Sequence, residues 1–209
     1  MLAALAVSAC DFPTEPPMWE QTWQVEGEEI SLGVADVLPT DVTVSADGSE
    51  FEASIDGTSF ELSLGEMCAD CAALNGLVVP KPEFSHSFST TLPLPASLVS
   101  ATLTGDQFAL NMAHNLNFDP LRPSADPGAE RGYIIVEVTS GTTVVARDTI
   151  HGDDVSFAPD VPLTPVIGIR PGDVSGDLGV DVFVFSPAGD AAEIDTADSL
   201  GIEILPADL

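Results

Sequence analysis

Gly132-Tyr-Ile-Ile-Val-Glu-Val-Thr-Ser-Gly-Thr-Thr-Val-Val-Ala-Arg-Asp-Thr-Ile150 is the stretch whose reading decides the fold. Ile134, Val136 and Val138 recur with a period of two, and Val144 and Ala146 repeat the pattern after Ser140-Gly141. A period of two places apolar side chains on one face of an extended chain. Two such runs joined by a glycine-containing turn predict a β-hairpin. Further on, Val180, Val182 and Val184 share one face while Phe183 and Phe185 share the other. A strand apolar on both faces is expected at the centre of a sheet, covered on both sides.

The same alternation extends outward in both directions. Val42 and Val44, then Phe51, Ala53 and Ile55, then Phe60, Leu62 and Leu64 are separated by Asp47-Gly48 and Asp56-Gly57, which predicts a three-stranded meander. Glu66 to Leu74 has helical composition and stops at Asn75-Gly76. Strands are expected at 83–90, 97–104, 107–118, 132–139, 142–150, 164–170, 179–186 and 200–205. Many short strands with regular turns predict an all-β fold, a β-sandwich of immunoglobulin-like or related type, with an N-terminal meander and one short helix. Val79-Pro80-Lys81-Pro82 marks a boundary between a subdomain at 25–79 and the sandwich at 80–209, unless the two form one continuous domain.

Thirty-four acidic residues stand against 5 basic ones, a net charge of −29. Such a field repels nucleic acid, so no nucleic-acid partner is expected, and it favours cations. Because the acids are spread along the chain, a solvated surface explains them better than repeated calcium loops. Asp173, Asp177 and Asp181 form the one weak metal candidate. Their spacing resembles a calcium loop, but Leu178 stands where a sharp turn needs glycine and Val184 where a bidentate Glu should close the sphere. A turn between strands is the competing reading. No cofactor is expected.

Cys68-Ala-Asp-Cys71 reads first as a disulfide, since the two positions lie close enough on a helical turn to be bridged. Reduced core thiols, a metal site and a redox pair are the alternatives. Neighbouring Glu66 and Asp70 disfavour a reactive thiolate. His86 and His114 alternate with apolar residues and read as core histidines, and His151 reads as a turn residue. None of the nucleophile-elbow, phosphate-loop or zinc-protease patterns occurs, so the chain is read as non-enzymatic, with a hydrolase whose site is assembled from distant loops as the remaining alternative. The irregular stretch 119–131, with Pro120, Pro123, Pro127 and two of the four arginines, is the place to look for binding. A strand at 108–118 presents an apolar face opposite Asn111, Asn115 and Asn117, which suits an apolar or a glycan ligand.

The segment 111–122, followed by Gly132-Tyr133 and a long hairpin, resembles the late-embryogenesis-abundant type 2 proteins over about a third of the chain. That resemblance implies a sandwich and nothing more specific. At the other end, Val7-Ser8-Ala9-Cys10 closes an apolar run and resembles the processing site of bacterial lipoprotein signal peptides. The resemblance implies cleavage after Ala9, lipid on Cys10 and a protein anchored to the cell envelope, facing the periplasm or the exterior. An ordinary secretory signal carries a similar small-residue site. Residues 1–9 are then the signal and 10–24 a proline-rich tether through Pro13, Pro16 and Pro17. No Lys or Arg precedes the apolar run, and Ile204 to Leu209 does not read as a natural end, so further sequence is expected on both sides. These readings converge on a lipid-anchored structural or interaction module, partnered by the membrane and by an envelope protein or glycan.

Overall fold

The computed structural model describes residues 38–207, apart from 40–41, 46–47, 49–50, 54–55, 97 and 104–106. Cys10 and the tether lie outside the described residues. Residues 38–209 cluster as one compact unit.

Fourteen strands are described. They are β1 (Val42–Val44), β2 (Phe51–Ala53), β3 (Thr58–Ser63), β4 (Leu77–Pro80), β5 (Phe84–Leu92), β6 (Ala101–Leu103) and β7 (Gln107–His114). They continue with β8 (Tyr133–Ser140), β9 (Thr143–His151), β10 (Val166–Gly168), β11 (Gly172–Val174), β12 (Leu178–Ser186), β13 (Ala191–Ile194) and β14 (Ser199–Ala207). Two four-stranded antiparallel sheets carry the fold, sheet I in the order β10-β7-β14-β3 and sheet II in the order β5-β12-β8-β9. Short pairs β1-β2, β6-β11 and β4-β13 complete it.

The inner faces follow the sequence alternation. Val180, Val182 and Val184 of β12 and Ile134, Val136 and Val138 of β8 are buried. So are Phe108, Leu110 and Met112 of β7 and Leu200, Ile202 and Ile204 of β14, all in one core cluster. Phe60 of β3 stacks on Phe88 of β5 with ring centroids 4.0 Å apart, joining the two sheets along one side. On the other side an antiparallel bridge between Ala146 and Ile169 ties β9 to the end of β10. Strand β12 is central in sheet II, as its two apolar faces predict, but only its valine face is fully buried; Phe183 and Phe185 are half-buried.

The three-stranded meander is not formed. Strands β1 and β2 pair with each other, whereas β3 leaves them and pairs with β14 at the edge of sheet I. The two Asp-Gly steps differ for a physical reason. Gly48 has φ 74°, in the left-handed region that favours glycine. Gly57 is needed for close approach: a Cβ there would meet the Ile204 carbonyl oxygen at 2.8 Å and Leu205 Cδ2 at 2.9 Å. It brings the start of β3 against β14 and makes no tight hairpin. Leu64 belongs to the helix that follows β3, not to the strand.

That helix, α1 (Leu64–Met67), opens with a capping box. Glu66 N–H donates to Ser63 Oγ at 3.3 Å, and Ser63 N–H donates to Glu66 Oε2 at 2.8 Å. The chain then leaves helical geometry at Cys68 (φ −129°, ψ 91°) and continues as a 3₁₀ turn over Ala69–Leu74. The expected single helix is thus two short turns. Cys68 and Cys71 are buried and bonded, with sulfurs 1.99 Å and Cα atoms 5.3 Å apart.

Candidate functional site

Between β7 and β8 the chain runs through 119–131 without regular structure, yet every turn of it is bonded. Asp119 accepts four hydrogen bonds: Oδ1 from the Leu121 and Arg122 amides at 2.8 and 2.9 Å, and Oδ2 from Ser156 Oγ and the Phe157 amide at 2.6 and 2.8 Å. Asp190 holds the far side, accepting from Ser124 Oγ at 3.0 Å and the Ala125 amide at 2.8 Å. Those two bonds, the amide first, hold its carboxyl below the usual carboxylate range.

Both loop arginines are committed inward. Arg122 donates through Nε to the Gly152 carbonyl and through Nη2 to the Asp153 carbonyl at 3.0 Å. Arg131 donates to the Ser124 and Asp126 carbonyls at 3.1 and 3.2 Å. Guanidinium groups used this way satisfy carbonyls that an irregular segment would leave without partners.

Beneath the loop lies a group that the sequence did not single out. Lys81, the only lysine, is 1% exposed. Its Nζ donates to Ser186 Oγ at 2.7 Å, to the Ser186 carbonyl at 3.0 Å and to the Pro187 carbonyl at 2.5 Å. The amine also sits 4.5 Å from the Phe84 ring centroid and 5.3 Å from that of Phe118. Ser186 in turn donates to the Pro120 carbonyl at 2.6 Å, which connects the lysine to the loop. Three acceptors match the three N–H groups of an ammonium ion. Lost hydration outweighs them: burial pushes the amine down to about 7, with Glu83 pulling it back up.

The result is an open groove of about 540 Å³ at one end of the sandwich, walled by Pro123, Pro127 and Phe118 and by Asn117, Ser124 and Asp190. Its polar lining is largely spent on the loop itself.

A second surface is the outer face of sheet II, whose registers align its side chains in rows. Ser85, Phe185, Tyr133 and His151 form one row, and Ser87, Phe183, Ile135 and Thr149 the next. Ser89, Asp181, Glu137 and Arg147 form the third. Tyr133 stacks on His151 at 6.1 Å with planes 9° apart, and its centroid lies 5.2 Å from Phe185 and 5.9 Å from Phe183. Beside the rings a shallow groove of about 290 Å³ runs over Ile135, Glu137, Arg147 and Asp181.

The other sequence candidates are placed as follows. Asp173 lies in β11 and accepts from Thr102 Oγ1 at 2.8 Å; Asp181 lies in β12 and accepts from Ser89 Oγ at 2.5 Å. Asp177 is exposed in the connection between those strands. Asp173 and Asp181 serve separate strand pairs and Asp177 lies in the turn, and among the described residues no three His, Cys, Asp or Glu side chains gather as metal ligands. His114 is a buried core histidine whose Nε2–H donates to the Phe157 carbonyl at 2.8 Å, and desolvation lowers its pKa. Its Nδ1 has no hydrogen-bond partner. His86 is half-buried, and His151 ends β9.

Asn111 and Asn117 donate to Glu203 and Asp198 at 3.2 and 3.1 Å, and Asn115 accepts from the Ser199 amide at 2.6 Å. They tie β7 and its extension to the β14 side of sheet I. The apolar face opposite them, from Phe108 to Phe118, is buried in the core. No helix among the described residues is long and apolar enough to cross a membrane.

Neither of the two ring-bearing and lysine-bearing features was read from the sequence as a site. The isolated Pro80-Lys81-Pro82 was the available signal for the lysine. For the rings it was the Phe183/Phe185 face of β12 opposite Tyr133. No family model and no curated protein matches the chain.

Proposed function

We propose that this protein is a non-enzymatic, lipid-anchored interaction module of the cell envelope. Lipid on Cys10 and the tether 11–24 hold the sandwich away from the membrane, and its rigid outer surfaces meet the partner. The observation that carries this reading is how the reactive side chains are used. Ser186, Lys81, Asp119, Arg122 and Arg131 are groups from which a catalytic constellation could be built, and their bonds run to the protein's own backbone, to one another and to Ser156. Nucleophilic catalysis needs a hydroxyl or thiol beside a base and open to substrate. Ser186 is fully buried, and Cys68 and Cys71 are bonded to each other. A groove stiffened in this way supports recognition by shape.

The test is metabolic labelling with a radioactive fatty acid, combined with cell fractionation. Wild type should take up label and partition into detergent, and Cys10→Ala should lose the label and appear in the aqueous phase. A Cys10→Ala protein that remains in the membrane fraction would overturn the anchor.

A further inference from the structure

We propose that the outer face of sheet II is a binding platform for a neutral glycan. The proposal deepens the interaction-module reading by naming a ligand class, and it does not depend on lipid at Cys10.

Two halves of that face supply the two kinds of contact a sugar chain needs. Tyr133, Phe183, Phe185 and His151 form a continuous ring surface on β8, β9 and β12. The negative face of an aromatic ring attracts the C–H groups that line one side of a pyranose. One row further along the strands lie Asp181, Glu137 and Arg147, and their known bonds leave capacity to spare. Asp181 accepts from Ser89 through Oδ1, and Glu137 accepts from Arg147 through Oε2 at 3.0 Å. Each carboxylate keeps a second oxygen for a sugar hydroxyl, and the guanidinium keeps further donors. Ser85, Ser87 and Ser89 extend the hydrogen-bonding margin along β5, all three exposed.

Size and charge select among occupants. Three inter-strand steps of ~4.8 Å and four residue steps of ~3.3 Å between the first and third rows give a patch of roughly 14 by 13 Å. That is about 190 Å², well short of the ~800 Å² per partner of a stable protein interface. A charged row beside the rings also breaks the apolar centre such an interface would need. A flat oligosaccharide fits both the area and the mixture. The net charge of −29 repels polyanionic glycans and leaves neutral ones.

Native gel electrophoresis of the full-length chain in mild detergent, through gels containing a β-glucan, a xylan, a galactomannan or an α-glucan, tests the idea. At least one polymer should retard wild type. Phe183→Ala and Tyr133→Ala should weaken that binding at least tenfold, while Tyr133→Phe, which keeps the ring, should retain it. Asp181→Asn, on an exposed side chain, should weaken binding without lowering the melting temperature. Asn111→Ala, on the outer face of sheet I, should leave binding unchanged. Indifference to every polymer, or binding undiminished by loss of the rings, would overturn the proposal. Concentration-dependent self-association abolished by Phe183→Ala would also overturn it, making this face a contact between copies.

Discussion

At the loop end of the sandwich, a Cβ on Gly132, Gly152 or Gly189 would meet a backbone oxygen of Pro120, Leu121 or Pro123 at 2.5 Å or closer; at the opposite end, Gly141 and Gly176 have nothing within 4 Å. The registers of sheet II set these ends apart. Ser186 pairs with Phe84 and Tyr133 with His151 at one, and Leu178 pairs with Leu92 and Ser140 at the other. The loop end packs three backbone segments around 120–123 and seals a lysine beneath them. The far end carries Asp173 and Asp177 on exposed turns and edges. One chain therefore uses charge in two ways, bonded into the loop at one end and set on exposed turns and edges at the other. The difference indicates where the fold has rigidity to offer a ligand.

The largest expected effect comes from Lys81. Its amine is lowered in the folded protein from 10.5 to about 7, so between those values the unfolded chain holds more protons than the folded one. Stability should then rise with pH across that window, by up to about 1.4 kcal/mol per pH unit. Denaturant unfolding between pH 7.5 and 9.5 should show the rise in wild type and a flat profile in Lys81→Met. Parallel profiles would mean that the lysine is not sealed in solution.

Gly152→Ala sharpens the comparison next. The added methyl has no room against the Leu121 carbonyl or the Arg131 side chain, and overpacking of this kind costs about 3 kcal/mol. A loss below 0.5 kcal/mol, roughly that of an ordinary surface substitution, would show the loop end to be loose. Gly141→Ala is the counterpart at the far end. Space is free there, but φ is 58°, and the left-handed conformation should cost about 1 kcal/mol. Thermal unfolding of the two variants should rank them in that order.

The smallest effects belong to the acids of the far end. Asp173→Asn and Asp177→Asn should each change stability by less than about 0.5 kcal/mol. For the whole molecule, NaCl should raise the melting temperature as the Debye length falls from ~30 Å at 0.01 M to ~3 Å at 1 M. At high salt, 1 mM CaCl₂ should add little. A calcium-specific rise of several degrees in 1 M NaCl would bring Asp173, Asp177 and Asp181 forward as ligands and dissolve the contrast between the ends.

Much of the architecture was legible because its signals are local. Strands β5, β7, β8, β9, β12 and β14 follow from alternation, each placed within a few residues, and the β8-β9 hairpin from Ser140-Gly141. The bond between Cys68 and Cys71 follows from their spacing. The short β4, β11 and β13 were missed, since none of them shows a clear alternation of apolar and polar residues. The partner of β3 was misread because an Asp-Gly step marks a bend without saying whether glycine serves a turn or a close approach.

What the sequence by itself determined is which residues face inward, since period-two burial needs only the order of apolar and polar side chains. It also determined the acidic surface and the cysteine pair. Only the tertiary structure decided which strands lie side by side, because pairing brings together segments as distant as Thr58–Ser63 and Ser199–Ile204. Only it decided that Lys81 is buried. A lysine between two prolines reads as a solvated charge until Ser186, 105 residues away, and Pro187 supply three oxygens where water would have been. The ring platform is of the same kind: Tyr133, Phe183 and Phe185 meet because two strands share a register, and no local pattern encodes a register.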